Sequence, residues 1–204
     1  MTPGSLSLRV TGPLAPLLGI AIGALGGAIY WLAAQIWPSS VALILSMAAT
    51  ALLTTEFRAI GAIQLDLLGR VLCLLIKYNA LMALSAAKLP FAVPANFPLA
   101  LIMICGYAAS FALLVFVMAT GAGKSAPKIG HAALVVALTV GFAPAALLGI
   151  PGLIGLAAAV IAGIGLLAFA KYRRIGSSGE ALDLTQLTTE ACFYLGALAS
   201  WRFI

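Results

Sequence analysis

The residues best suited to chemistry lie in one stretch, Lys171 to Glu190, which reads KYRRIGSSGEALDLTQLTTE. It opens with Lys171, Arg173 and Arg174, turns through Gly176-Ser177-Ser178-Gly179, and continues into an expected helix. That helix carries Glu180, Asp183 and Glu190, three of the five acidic residues in the chain. On a helix Glu180, Asp183, Gln186, Leu187 and Glu190 share one broad face, and Asp183 and Glu190 nearly superimpose in projection. Carboxylates grouped in apolar surroundings repel one another unless a cation or a basic side chain intervenes. Two kinds of partner suit them. One is a basic pair from an earlier segment, Arg70 and Lys77; the other is Mg2+, which takes a few carboxylates and completes its shell with water and substrate phosphates. The chemistry would then be metal binding or phosphate handling. The plainer reading is a membrane loop whose Glu180 suits the positive end of a helix dipole.

A second polar group lies upstream. Asp66, Arg70, Cys73 and Lys77 fall within about 40° of one another on a helix and form a single stripe. Asp66 and Arg70 are spaced to pair at i,i+4. Lys77 sits deep in an apolar run, where an ionisable group faces a bundle interior and needs a partner. The stripe is either an internal ion pair fixing helix packing or one wall of a polar pocket. Other candidates carry less. Gly123-Lys124-Ser125 resembles part of a phosphate-binding loop, but Met118 stands where that motif needs its first glycine. His131 has no second histidine or carboxylate near it in sequence to complete a metal set. Cys73, Cys105 and Cys192 fall in apolar runs with neither disulfide-framework nor zinc spacing.

The elements that must position these residues are apolar helices. Of 204 residues, 64% are hydrophobic and 8% charged, against about 25% charged in soluble domains. The mean hydropathy is +1.18. Backbone groups in lipid must be satisfied within a segment, so the spans are helical, and the alternation of a membrane barrel is absent. The expected fold is an all-α polytopic bundle of about seven spans, a single membrane domain over 1–204. Its helices are expected near 14–36, 41–55, 59–86, 99–120, 131–149, 151–170 and 179–203. The opening residues show no convincing cleavage site, so the first apolar run is read as a retained helix. Gly19, Gly23 and Gly27 in that helix have the small-residue spacing of a close helix contact. Tyr30, Trp31 and Trp37 sit towards its far end, as interfacial aromatics do. Pro144 is expected to bend the fifth helix. With seven spans and a cytoplasmic N-terminus, the inside receives Arg9, Arg58, Lys124, Lys128, Lys171, Arg173 and Arg174, and the outside Lys88 and Arg202. That asymmetry favours N-in, C-out. The net charge of +6 is then a membrane signal and needs no nucleic acid partner.

The sequence resembles the cobalamin-5'-phosphate synthases, or adenosylcobinamide-GDP ribazoletransferases. Their C-terminal signature is a basic run, a Gly-rich turn, then Thr-Gly-Asp-Thr-Leu-Gly-Ala and a Glu-containing helix. Here Arg173-Arg174 precede the turn, Gly179, Glu180 and Leu182 match the Gly, Asp and Leu, and Glu190 falls on the later acidic residue. Gly12-Pro13-Leu14-Ala15-Pro16-Leu17-Leu18-Gly19 echoes the family's N-terminal pattern, and Lys77 its lysine after the second conserved region. The family's acidic segment after the second helix is replaced by Thr54-Thr55-Glu56-Phe57-Arg58-Ala59-Ile60-Gly61, where Glu56 and Arg58 match a later Asp-Ser-Arg-x-Gly element.

The resemblance implies a transferase of late cobalamin biosynthesis in the bacterial inner membrane. It would join α-ribazole, or its 5'-phosphate, to adenosylcobinamide-GDP with release of GMP. Glu180, Asp183 and Glu56 would be catalytic. Mg2+ would be held by Glu180, Asp183 and Glu190, and substrate phosphates by Arg58, Arg173, Arg174 and Lys77. The partners would be the two substrates and the bilayer, with a homo-oligomer allowed. The altered acidic segment supports an alternative, a non-catalytic relative acting as a membrane binding or scaffold subunit or a small-solute carrier.

Overall fold

The computed structural model describes residues 14–55, 64–86, 97–120, 130–172 and 179–201. Among them the only regular elements are seven helices: α1 (Ala15–Ala33), α2 (Ser39–Thr55), α3 (Gln64–Ser85), α4 (Phe97–Thr120), α5 (His131–Leu147), α6 (Ile150–Tyr172) and α7 (Gly179–Trp201). Each expected helix has a counterpart among the described residues; the expected starts and ends at 59–63 and 202–203 lie outside them. α1 stops at Ala33 because the chain tightens through residues 34–37 into Pro38, whose carbonyl accepts the first amides of α2. α5 ends at Leu147 with Leu148 as its C-cap, and Gly149 takes φ 66°, which allows α6 to start one residue later. Pro144 sits inside α5.

Among the described residues three helices are long and apolar enough to cross a membrane: Ala15–Ala33, Pro98–Thr120 and Ile150–Phe169. Many large side chains on the outer faces are exposed, including Leu52, Leu72, Val135, Ile161 and Phe169. Apolar surfaces on this scale suit lipid rather than water.

α4 is the axis of the bundle. It packs against α1, α3, α5, α6 and α7, and its buried share is 72%, against 39% for α1 and 22% for α6. Its contact with α1 rests on the glycine stripe. A Cβ at Gly23 would lie 2.7 Å from Ile104 Cα, and one at Gly27 2.8 Å from Ala100 Cβ. A Cβ at Gly19 would lie 2.7 Å from the Tyr107 carbonyl oxygen. The backbones therefore touch, and the helices run antiparallel. α6 and α7 are also antiparallel and glycine-packed: a Cβ at Gly196 would lie 2.9 Å from Gly155 Cα, and one at Gly155 2.7 Å from the Phe193 carbonyl oxygen. α3 and α7 run parallel, with Gly69 facing Leu184, Cys73 facing Thr188 and Lys77 facing Glu190. These directions are those of a chain that alternates up and down. The helix ends flanking residues 56–63, 121–129 and 173–178 thus gather at one end of the bundle.

One expectation is corrected. Tyr30 is not an interfacial aromatic: Trp31 and Trp37 are 42% and 48% exposed, but Tyr30 is 1% exposed, in the cluster with Leu43, Leu81 and Met103. The helix turns Tyr30 by 100° from Trp31, onto the face that carries Gly23 and Gly27.

If the α1–α4 contact needs bare backbone, Gly23→Leu should lower unfolding stability by about 1–3 kcal/mol through overpacking. Gly165→Ala, where an added Cβ meets nothing within 4 Å, should be neutral or mildly stabilising. Denaturant titration of the protein in detergent micelles checks both.

Candidate functional site

The polar residues that the fold brings together meet where α3, α4 and α7 touch. The Lys77 ammonium, from α3, lies 2.6 Å from Glu190 Oε1 on α7. Its Nζ also donates to the Tyr107 hydroxyl of α4 at 2.8 Å, and stands 4.3 Å from the centre of that ring. The Tyr194 hydroxyl donates to the same Glu190 Oε1 at 2.8 Å. Its contact with the Met103 carbonyl is 3.5 Å and weak by comparison. The Tyr107 hydroxyl also hydrogen-bonds the Thr50 side chain of α2, and Thr50 Oγ1 in turn donates to the Ser46 carbonyl at 3.0 Å. Four helices therefore share one hydrogen-bonded cluster.

Local sequence explains the arrangement. Glu190 and Tyr194 are one helical turn apart, so the phenol reaches back to the carboxylate. Gly106 leaves the space that the Tyr194 ring fills; a Cβ there would lie 2.5 Å from the ring. Lys77 and Glu190 are 3% and 1% exposed. An isolated charge at such a position is strongly disfavoured, but here each charge faces its opposite and is further hydrogen-bonded. The pair lies about 16–20 Å along the helices from the starts of α7 and α3. Glu190 therefore meets Lys77, the basic partner its helix face required.

The other site residues fall elsewhere. Glu180 and Asp183 lie in the first two turns of α7, and their side chains are outside the described residues. Glu56, Arg58, Arg173 and Arg174 are also outside them, as are the side chain of Asp66 and the Gly123-Lys124-Ser125 run. Glu190 stands ten residues beyond Glu180, about 15 Å of helix. Two ligands of one Mg2+ must both reach within about 2.1 Å of it. The fold therefore does not gather Glu180, Asp183 and Glu190 around one ion, and it gives Glu190 an ammonium instead. Among the described residues no group of three or more His, Cys, Asp or Glu is placed to hold a metal. Lys77, equally, faces Glu190 and two tyrosines within the bundle and has no open surface. Three members of the cluster escaped the sequence reading, Thr50, Tyr107 and Tyr194, and of these the two tyrosines left a signal. Their signals were a phenol after Gly106 in an otherwise apolar run and a phenol at i+4 from Glu190.

The fold and the site define an apolar helical bundle with a buried ionic centre and its remaining carboxylate-bearing turns at one end. The comparisons with known proteins narrow this. The chain is 52% identical over 46 residues to the adenosylcobinamide-GDP ribazoletransferase of Leptothrix cholodnii (strain ATCC 51168 / LMG 8142 / SP-6). The match covers 22% of this chain and 17% of that relative, so the aligned part is a small share of both. No family model and no solved structure matches.

Removing one partner of the ion pair leaves the other charge buried alone. Glu190→Gln or Lys77→Met should therefore cost about 3–5 kcal/mol of stability. Tyr194→Phe, which removes one hydrogen bond to Glu190, should cost about 1–3 kcal/mol. Equilibrium unfolding in micelles, followed by tryptophan fluorescence, checks the order of these effects.

Proposed function

We propose that the chain is a membrane transferase of late cobalamin biosynthesis that joins α-ribazole, or its 5'-phosphate, to adenosylcobinamide-GDP and releases GMP. The observation that carries this reading is the 46-residue stretch of 52% identity to a ribazoletransferase. The helix directions support it, because the start of α7 with Glu180 and Asp183 lies at the same end of the bundle as the start of α3. The helix ends flanking Glu56, Arg58, Arg173 and Arg174 lie there too. We place that end on the cytoplasmic side of the bacterial inner membrane, with N-in and C-out, from the Lys and Arg distribution.

In this reaction the hydroxyl of the ribazole attacks the phosphorus bonded to the cobinamide side. A new P–O bond forms, the P–O bond to GMP breaks, and the hydroxyl proton passes to a carboxylate. Glu56 suits that acceptor role. Arg58, Arg173 and Arg174 would orient the diphosphate and offset its charge, the larger part of catalysis in phosphoryl transfer. Carboxylate oxygens are the hard donors that Mg2+ prefers, and Glu180 and Asp183, three residues apart, share a helix face. These two fit the ion, whereas Glu190, bound to Lys77, does not. Mg2+ so held would neutralise charge on the diphosphate.

Purified protein in lipid, given adenosylcobinamide-GDP, α-ribazole and Mg2+, should release GMP. Glu180→Gln should reduce kcat by about a hundredfold or more while leaving the unfolding midpoint unchanged. A folded wild-type protein without GMP release contradicts the transferase reading and favours a binding or carrier role.

A further inference from the structure

We propose that Lys77 and Glu190 are positioning residues, whose ion pair fixes the register of α7 on α3 and thereby the placement of the first turns of α7. The argument starts from what else holds α7. Against α6 it is gripped by bare backbone, Gly196 on Gly155 and Gly155 on Phe193. Against α3, Gly69 meets the tip of Leu184, with a Cβ there 4.0 Å from it, and Cys73 Sγ stands 3.9 Å from Thr188 Oγ1. Neither contact interlocks. The Lys77–Glu190 bond at 2.6 Å is directional, and Tyr107 and Tyr194 hold its two ends from α4 and from α7 itself. A slip of α7 by one residue would translate it by about 1.5 Å and turn it by about 100°, and so carry the carboxylate off the ammonium. Polar contacts of this kind can specify register where apolar ones tolerate sliding. α7 is a rigid rod, so whatever fixes Glu190 also fixes Glu180 and Asp183, about 15 Å and 10 Å up the same helix. The register claim stands on geometry alone; its catalytic consequence rests on the transferase reading.

The test uses native Cys73 as reporter. Thr188→Cys, in a Cys192→Ser background, places two sulfurs close enough to be joined by a copper–phenanthroline oxidant. Disulfide formation should be fast in this protein in lipid. In Glu190→Gln, and in the double variant Lys77→Met/Glu190→Leu, it should slow by about tenfold through loss of the fixed register. The double variant leaves no lone charge, so it keeps the bundle folded even where the single change does not. The swap Lys77→Glu/Glu190→Lys should restore a substantial part of the rate. Where GMP release is measurable, the double variant should lower kcat by about a hundredfold with little change in KM, as misplacement of a reacting group does. Wild-type cross-linking in the folded double variant overturns the register claim. Slowed cross-linking in a wild-type background that releases no GMP upholds the register claim and defeats only the transferase reading.

Discussion

The described part of the structure is organised around a buried ion pair. Lys77 and Glu190 come from distant parts of the chain and sit at the junction of α3, α4 and α7, at 3% and 1% exposure. Everything near them is arranged to make two charges tolerable in an apolar interior. Tyr107 and Tyr194 supply hydroxyls, Gly106 makes room for the second ring, and Thr50 extends the cluster to α2. Close backbone contacts at glycine pack α1 against α4, α5 against α4 and α6 against α7, and the Ser46 hydroxyl of α2 donates to the Gly26 carbonyl of α1. The bundle thus combines glycine-packed helix pairs with a buried ionic joint.

That division of labour separates structure from chemistry along α7. The helix carries three carboxylates on one face, and the fold uses the deepest of them for assembly. The other two lie nearer the end of the bundle at which α6 stops and α7 starts. Distance along the helix enforces the separation, since about 15 Å between Glu180 and Glu190 exceeds what one ion can bridge.

Much of this was legible in the sequence. Apolar runs broken by Pro, Gly and charge marked all seven helices, and the Gly19-Gly23-Gly27 spacing announced a close helix contact that α4 supplies. The depth of Lys77 and the carboxylate face of α7 each demanded a partner. What the sequence could not show was which lysine meets which carboxylate, because that depends on the register of two helices far apart in the chain. For the same reason Tyr107 and Tyr194 were not singled out from the sequence. Tyr30 misled in the opposite direction: its position near a helix end suggested the interface, while its face of the helix, set by the glycine stripe, turned it into the core. The similarity to a ribazoletransferase over 46 residues agrees with the resemblance read from the motifs and narrows the chemistry to be tested.

The most direct test of the account is a double-mutant cycle on Lys77 and Glu190, with Lys77→Met, Glu190→Gln and the combined variant measured by equilibrium unfolding in micelles. The account predicts a coupling energy of about 2–3 kcal/mol, the double variant being far less destabilised than the sum of the single ones. Additivity within about 0.5 kcal/mol would contradict it, since the two charges would then contribute independently and the polar joint would not hold the bundle together.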